Sequence, residues 1–181
     1  MGVPLPNKTR VSKNTCISKK NYIIACVANL VEVKGHKHLI KACEILKNKK
    51  LNFQCWVIGE GPERKNIENQ IMKLGLQKEV ILMGHKSHDE IIRMYKQNEI
   101  DITVLPSVNT AIGEKEGMGV ALMEAMAYRV PVIGTNMGGV PELLGGGAGI
   151  LVEEKNAEQL AEAIDTIMRD KTLANKFGHQ G

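Results

Sequence analysis

The chain has 181 residues, of which 43% are hydrophobic, 24% charged and 3% aromatic, and its formal net charge is +4 at pH 7. This composition is typical of one soluble globular domain, and it excludes collagen, coiled coil and intrinsic disorder. The charge suits a phosphorylated ligand. It is too small, and the aromatic residues are too scarce, for a surface that binds nucleic acid. We therefore predict no nucleic-acid partner.

The location of the chain is predicted from segments that it lacks. No apolar run approaches the roughly 20 residues of a membrane-spanning helix, and the N-terminal segment has no signal-peptide core. We expect a cytoplasmic protein, whose positive charge allows peripheral contact with the inner face of the membrane. The cysteines lack metal-binding or redox spacing and are expected to be buried, reduced thiols, namely Cys16, Cys26, Cys43 and Cys55.

Short apolar runs alternate with helical patterns after a polar lead-in at residues 1–20. The predicted strands are YIIACVAN, FQCWVIG, VILMG, DITVLPS, PVIGT and GILV, and the main helical patterns are HKHLIKACEILKNKK, PERKNIENQIMKLG, DEIIRMYKQN, GMGVALMEAMAY and NAEQLAEAIDTIMRD. Pro62 is expected to start the second helix and Asn156 to cap the last. Continuously apolar strands indicate a sheet buried on both faces. Residues 21–181 are therefore predicted to form an α/β domain, a doubly wound parallel sheet of about six strands with helices on both faces.

In such a sheet ligands bind beyond the carboxyl ends of the strands, so the loops there are the candidate sites. After the first strand, Lys34 and Gly35 lie where a helix begins, an arrangement that suits a phosphate. A solvated lysine beside a glycine turn is an equally acceptable interpretation. His36 and His38 are expected at the surface.

The second and third loops carry weaker signals. Gly59-Glu60-Gly61-Pro62-Glu63-Arg64 is not a dinucleotide fingerprint, because Arg64 stands where a third glycine is needed, and no P-loop sequence occurs in the chain. A structural turn is the favoured interpretation, and a dinucleotide-dependent oxidoreductase is disfavoured. The third loop contains His85, His88 and Asp89, but no further ligand lies at a spacing that supports a metal site.

The fourth loop places two carboxylates around the start of a helix. Glu116 and Glu124 are eight residues apart, which corresponds to about 12 Å along a helix and about 80° around it. Gly117 and Gly119, between them, allow a ligand to approach the amides at the helix start. Glu124 lies in a nearly wholly apolar helix, so we expect it to be buried and to need a partner.

A nucleotide sugar fits these loops. The carboxylates would accept from sugar and ribose hydroxyls, while Lys34 and the helix amides would bind the diphosphate and offset its repulsion by the glutamates. The alternative is that both glutamates are solvated acids on a loop and a helix face.

Several motifs, taken in order, resemble those of the family 4 (group 1) glycosyltransferases. The resemblance covers about residues 20–170 and includes the two-glutamate E-x7-E motif at Glu116 and Glu124; the other matching segments are Lys34-Gly35, Gly59 to Arg64, Gly117-Met118-Gly119, Pro131-Val132-Ile133 and Gly138-Gly139-Val140-Pro141-Glu142. It implies the C-terminal, Rossmann-like half of a GT-B fold, an excised domain that binds the nucleotide-sugar donor. The acceptor, a saccharide or glycolipid, would bind to an N-terminal domain that is missing here.

The resemblance also implies roles for individual residues. Lys34 would contact the donor phosphates, Glu116 the donor sugar and Glu124 the ribose, with Lys34 and Glu116 as the catalytic residues. The further donor-binding residues would be Gly117, Met118, Gly119, Val120 and Asn29, the last where the family often has arginine. The implied reaction is sugar transfer with retention from a UDP- or GDP-sugar, without a metal. A nucleotide-sugar-binding module without catalysis is the alternative.

Overall fold

The computed structural model describes residues 21–110, 119–170, 172–173 and 176. The strands are β1 (Tyr22–Val27), β2 (Phe53–Ile58), β3 (Val80–Gly84), β4 (Ile102–Leu105), β5 (Val132–Thr135) and β6 (Ile150–Val152). The helices are α1 (His36–Asn48), α2 (Arg64–Lys73), α3 (His88–Lys96), α4 (Val120–Ala127), α5 (Val140–Leu144) and α6 (Ala157–Arg169), with short 3-10 turns at Glu32–Lys34 and Gly145–Gly147. No helix among these residues is both long and apolar enough to cross a membrane.

The six strands form one sheet in the order β3-β2-β1-β4-β5-β6. Every pairing is parallel, from β2 with β3 at one end to β5 with β6 at the other. This confirms the predicted doubly wound fold. The order reverses between β1 and β4, and a crevice opens at such a reversal because the crossover connections leave in opposite directions.

Apolar side chains bury both faces of the sheet. Alternate residues of β1 point to opposite sides: Ile24 and Cys26 join the cluster under α1, α2 and α6, whereas Ala25 joins the cluster under α3, α4 and α5. Three of the predicted thiols, Cys26, Cys43 and Cys55, are free and buried as expected, and Cys16 lies outside the described residues, as does the lead-in at 1–20.

The structure tests the local predictions for the helices, of which one is confirmed. Helix α2 begins at Arg64 rather than Pro62, because the preceding residues form a turn in which the Glu63 amide donates to Leu30 O and the Arg64 amide to Gly61 O. The stretch after β5, which is not among the predicted helical patterns, contains α5, and Gly145–Gly147 form a 3-10 turn. The predicted cap at Asn156 is confirmed, since its side chain accepts from the Gln159 amide at 2.9 Å.

Candidate functional site

A cleft of about 430 Å³ opens at the carboxyl ends of β1, β2, β3 and β4, against the first turn of α4. It lies where the strand order reverses, the position at which open α/β sheets bind ligands. Five residues predicted from the sequence line it: Asn29, Lys34, Gly119, Val120 and Glu124. The structure therefore brings together side chains that lie up to 95 positions apart in the chain.

The turn that carries Lys34 is fixed by the loop after β4. The Val108 amide donates to Val33 O at 2.8 Å. Gly35 ends this turn at φ +65°, and a Cβ atom there would overlap the carbonyl oxygen of Pro106. Only glycine combines this backbone conformation with such close packing. The lysine is thus presented to the cleft by a rigid turn.

The start of α4 forms the opposite wall of the cleft. Gly119 precedes the helix at φ +65° and ψ +41°, and as a glycine it has no side chain with which to cap the amides. The first amides of a helix have no intrahelical acceptor, and the helix dipole favours an anion at this end. Gly119, Val120 and Ala121 line the cleft beside these amides, so a phosphate between them and Lys34 would be stabilised from both sides.

Glu124 lies one turn further along α4. The expectation that it is buried is wrong in degree, because 26% of its side chain is exposed. Helix α4 buries Leu122, Ala125 and Met126 against the core, whereas Val120 and Glu124, four residues apart on the opposite face, border the cleft. The carboxylate is therefore accessible to a ligand.

The residue that pairs with Glu124 is a histidine from the connection between β3 and β4. His88 Nδ1 lies 3.4 Å from Glu124 Oε1, an ion pair when the imidazole is protonated. The sequence interpretation considered His88 only as a metal ligand. Its place is set by a capping box, in which Ser87 accepts from the Glu90 amide and Glu90 accepts from the Ser87 amide. The S-x-x-E spacing is a sequence signal that fixes where α3 starts.

His85 and Lys86, from the loop after β3, also line the cleft, and sequence reasoning did not assign them to it. The Lys86 ammonium lies 3.4 Å from Glu90 Oε1. No group of three His, Cys, Asp or Glu side chains that could hold a metal ion occurs within the described ranges.

The segment that carries Glu116, Gly117 and Met118 lies outside the described residues. In the described loop after β4, the Asn109 amide and side chain donate to the Glu154 carboxylate at 2.6 and 3.1 Å. These bonds lower the pKa of Glu154. The predicted roles of Glu116, Gly117 and Met118 remain predictions.

The prediction that His36 lies at the surface is wrong. Its side chain is 3% exposed, because the residue opens α1 where that helix packs against the loop after β1. Burial, aided by the nearby charge of Lys34, lowers its pKa to about 4. His38 is half-buried, and burial followed by the charges of Lys37, Lys41 and Lys155 lowers its pKa as well.

We expect the stability of the domain to fall as the pH decreases from 6.5 towards 4. In this window the unfolded chain binds a proton at His36 and the folded chain does not. The free energy of unfolding therefore decreases by at most about 1.4 kcal/mol for each unit by which the pH falls. Urea denaturation at several pH values measures this slope. In His36→Gln the slope becomes shallower, whereas in His85→Gln, a change at an exposed position, it stays as in the parent. An unchanged slope in His36→Gln would contradict the assignment of this pH dependence to His36.

The family model described as "Glycosyl transferases group 1" matches residues 7–181 of the chain. The chain belongs to this family. Among curated relatives of this group 1 glycosyltransferase chain, the putative colanic acid biosynthesis glycosyltransferase WcaL of Escherichia coli is 38% identical over 142 residues, which are 78% of this chain and 34% of WcaL. The amylovoran biosynthesis glycosyltransferase AmsK of Erwinia amylovora is 40% identical over 142 residues, again 78% of this chain and 34% of the relative. The chain thus spans about a third of the length of these relatives.

Solved structures of the same family share the fold. The C-terminal domain of a group 1 glycosyl transferase, LpcC, from Francisella tularensis superposes with a TM-score of 0.74 at 31% identity, covering 87% of this chain and 80% of that one. A glycosyltransferase from Rickettsia africae superposes with a TM-score of 0.71 at 30% identity, covering 88% of this chain and 41% of that one. The predicted resemblance is confirmed: the sheet and its helices match the C-terminal, Rossmann-like domain of GT-B enzymes.

Proposed function

We propose that this chain is the nucleotide-sugar donor domain of a retaining glycosyltransferase that transfers a sugar to a saccharide, lipid-linked or other glycoconjugate acceptor. The observation that carries the proposal is the single cleft in which Lys34, the first turn of α4 and the Glu124 carboxylate meet. A cation and helix amides suit a diphosphate, and a carboxylate suits the adjacent ribose diol. The names of WcaL and AmsK, which refer to colanic acid and amylovoran biosynthesis, support a role in polysaccharide assembly.

Each residue of the cleft has a distinct part in the proposed reaction. Lys34 and the amides of Gly119 and Val120 bind the diphosphate and stabilise the charge that grows on it as the bond to the sugar breaks. Glu124 accepts hydrogen bonds from the ribose hydroxyls. Glu116, with Gly117 and Met118, is assigned to the donor sugar. This chemistry needs no metal, because the lysine and the helix dipole supply the positive potential at the leaving group.

Binding without catalysis is a second candidate function, and the exposed Asn29 favours it. At the mouth of the cleft Asn29 offers a neutral side chain where relatives in this family often have arginine, so one charge that would stabilise the leaving diphosphate is absent. An assay of sugar transfer, made on this domain joined to an acceptor-binding domain, distinguishes the two candidates. Transfer supports the glycosyltransferase, and binding of the nucleotide sugar without transfer supports the binding module. We also propose a cytoplasmic location, in which the positive charge allows peripheral contact with the inner face of the membrane, and an acceptor that is bound by that other domain.

The first test is a ligand-detected NMR titration of the chain with UDP, GDP, ADP and NAD. We expect one nucleoside diphosphate to bind, with an affinity near millimolar because half of the two-domain cleft is present, and NAD to bind no better than ADP. The matching nucleoside monophosphate serves as a control, since it lacks the second phosphate. Preferential NAD binding, or the absence of any nucleotide binding, would contradict the proposed donor site.

A further inference from the structure

Lys86 is a cation of the donor cleft to which the proposed function gives no role. It follows β3, whereas Lys34 follows β1, and both lysines line the cleft. The strand between these two in the sheet is β2, so the two chain segments leave the sheet about 10 Å apart. Each lysine side chain is long enough to extend towards a ligand that lies between the segments. The cleft can therefore be charged from two sides.

The charges on the cleft wall show why a second lysine matters. The described lysine and carboxylate side chains that line it are Lys34, Lys86 and Glu124, and His85 adds a charge only when it is protonated. Without Lys86, the charge of Lys34 is cancelled by that of Glu124, and only the partial charge of about +0.5 at the start of α4 faces a diphosphate. With Lys86, the wall gains one net positive charge, which attracts an anion into the cleft.

A second cavity, of about 370 Å³, adjoins the donor cleft and has the opposite balance of charge. The 3-10 turn Glu32–Lys34 separates the two, since Lys34 lines the donor cleft and Glu32 lines the second cavity. The described lysine and carboxylate side chains of the second cavity are Glu32, Glu63 and Lys37, two acids and one base. The excess of positive charge thus lies on the donor-cleft side of this turn.

A neighbouring carboxylate holds Lys86 without engaging all of its donors. The ammonium donates to Glu90 Oε1 at 3.4 Å, while the other oxygen of Glu90 accepts from the Ser87 amide at 2.8 Å and from the Ser87 hydroxyl at 3.0 Å. An ammonium has three N–H donors, so two of those on Lys86 can pair with a ligand. The Lys86 and Glu90 side chains are 29% and 40% exposed, so separating them costs at most about 1 kcal/mol. Lys86 can therefore turn towards an anion at little cost.

We propose that Lys86 is a second diphosphate-binding residue of the donor cleft, acting from the β3 side as Lys34 acts from the β1 side. This role deepens the proposed function and rests on it for the identity of the ligand. Lys86 binds the phosphate chain of a nucleoside diphosphate, not its base or its ribose. It supplies positive charge to a cleft in which Asn29 is neutral.

The test compares the binding of UDP and of uridine by NMR titration, or of GDP and guanosine if the first titration selects GDP. Lys86→Met should lower the affinity for UDP about 5- to 10-fold and leave that for uridine unchanged, because a charge-assisted contact to phosphate is lost. Lys86→Arg keeps the charge and should bind UDP like the parent. Lys96→Met, at an exposed position of α3 away from the cleft, is the matched control and should also bind like the parent.

The outcomes distinguish this role of Lys86 from the donor site itself. If the parent binds UDP and Lys86→Met binds it equally well, Lys86 is not a diphosphate-binding residue and the donor site stands. Equal losses of UDP and uridine in Lys86→Met would mean that the lysine contacts the nucleoside, which overturns the proposal. A loss in Lys86→Arg as large as that in Lys86→Met overturns it too, because the charge would not be what matters. If the parent binds no nucleotide, the donor-site proposal fails, and the role of Lys86 fails with it.

Discussion

Replacing Gly35 with alanine is expected to lower the free energy of unfolding by about 2 to 5 kcal/mol. Two costs add: an L-residue at φ +65° costs about 1 to 2 kcal/mol, and the new methyl group overlaps the Pro106 carbonyl oxygen and lies 2.9 Å from its carbon, a clash of about 1 to 3 kcal/mol. The position of the Cβ atom is fixed by its own backbone, and the Pro106 atoms that it meets are backbone atoms. Side-chain rotation therefore cannot relieve the clash. Urea denaturation followed by circular dichroism measures the loss.

Gly75 provides the control for this prediction. It has the same φ of +65°, but a Cβ atom there would meet nothing within 4 Å. Gly75→Ala should therefore show only the backbone cost of about 1 to 2 kcal/mol. If the two variants lose the same stability, the contact between the Lys34 turn and the loop after β4 does not hold the turn in place.

Glu124→Ala and Lys34→Met are expected to weaken nucleotide binding in different ways. Glu124→Ala should reduce the affinity for both UDP and uridine about 10- to 100-fold, because it removes a charged acceptor of the ribose hydroxyls. Lys34→Met should reduce the affinity for UDP by a similar factor but leave uridine unchanged, because its charge acts only on the phosphates. If the titration selects GDP, the pair becomes GDP and guanosine.

NMR titrations of each variant with both ligands measure this difference. Glu162→Ala and Lys41→Met, at exposed helix positions away from the cleft, are the matched controls and should bind like the parent. A rise in UDP affinity in Glu124→Ala would contradict the ribose assignment, because it would mean that the carboxylate only repels the diphosphate. Equal losses of uridine and UDP in Lys34→Met would contradict the phosphate assignment.

Much of the candidate cleft could be predicted because all strands of a parallel sheet end at the same edge. Lys34 and the start of α4 follow β1 and β4, so both were expected at that edge, whereas the neighbouring positions of β1 and β4 are seen only in the structure. The contact between His88 and Glu124 could not be predicted from their spacing in the sequence, because it depends on the relative position and orientation of α3 and α4. The burial of His36 was not predicted because it depends on how the start of α1 packs in the folded domain.

The amino-acid sequence alone was enough to predict the six strands, five of the six helices, the parallel sheet buried on both faces and the resemblance to the group 1 glycosyltransferases. These follow from local periodicity, capping residues and short motifs, which act over a few neighbouring positions. The three-dimensional packing was needed to see which faces of α4 and α1 are exposed, why Gly35 must lack a side chain and that a second cavity adjoins the first. Such features depend on the packing of residues distant in the chain, which sequence patterns do not specify.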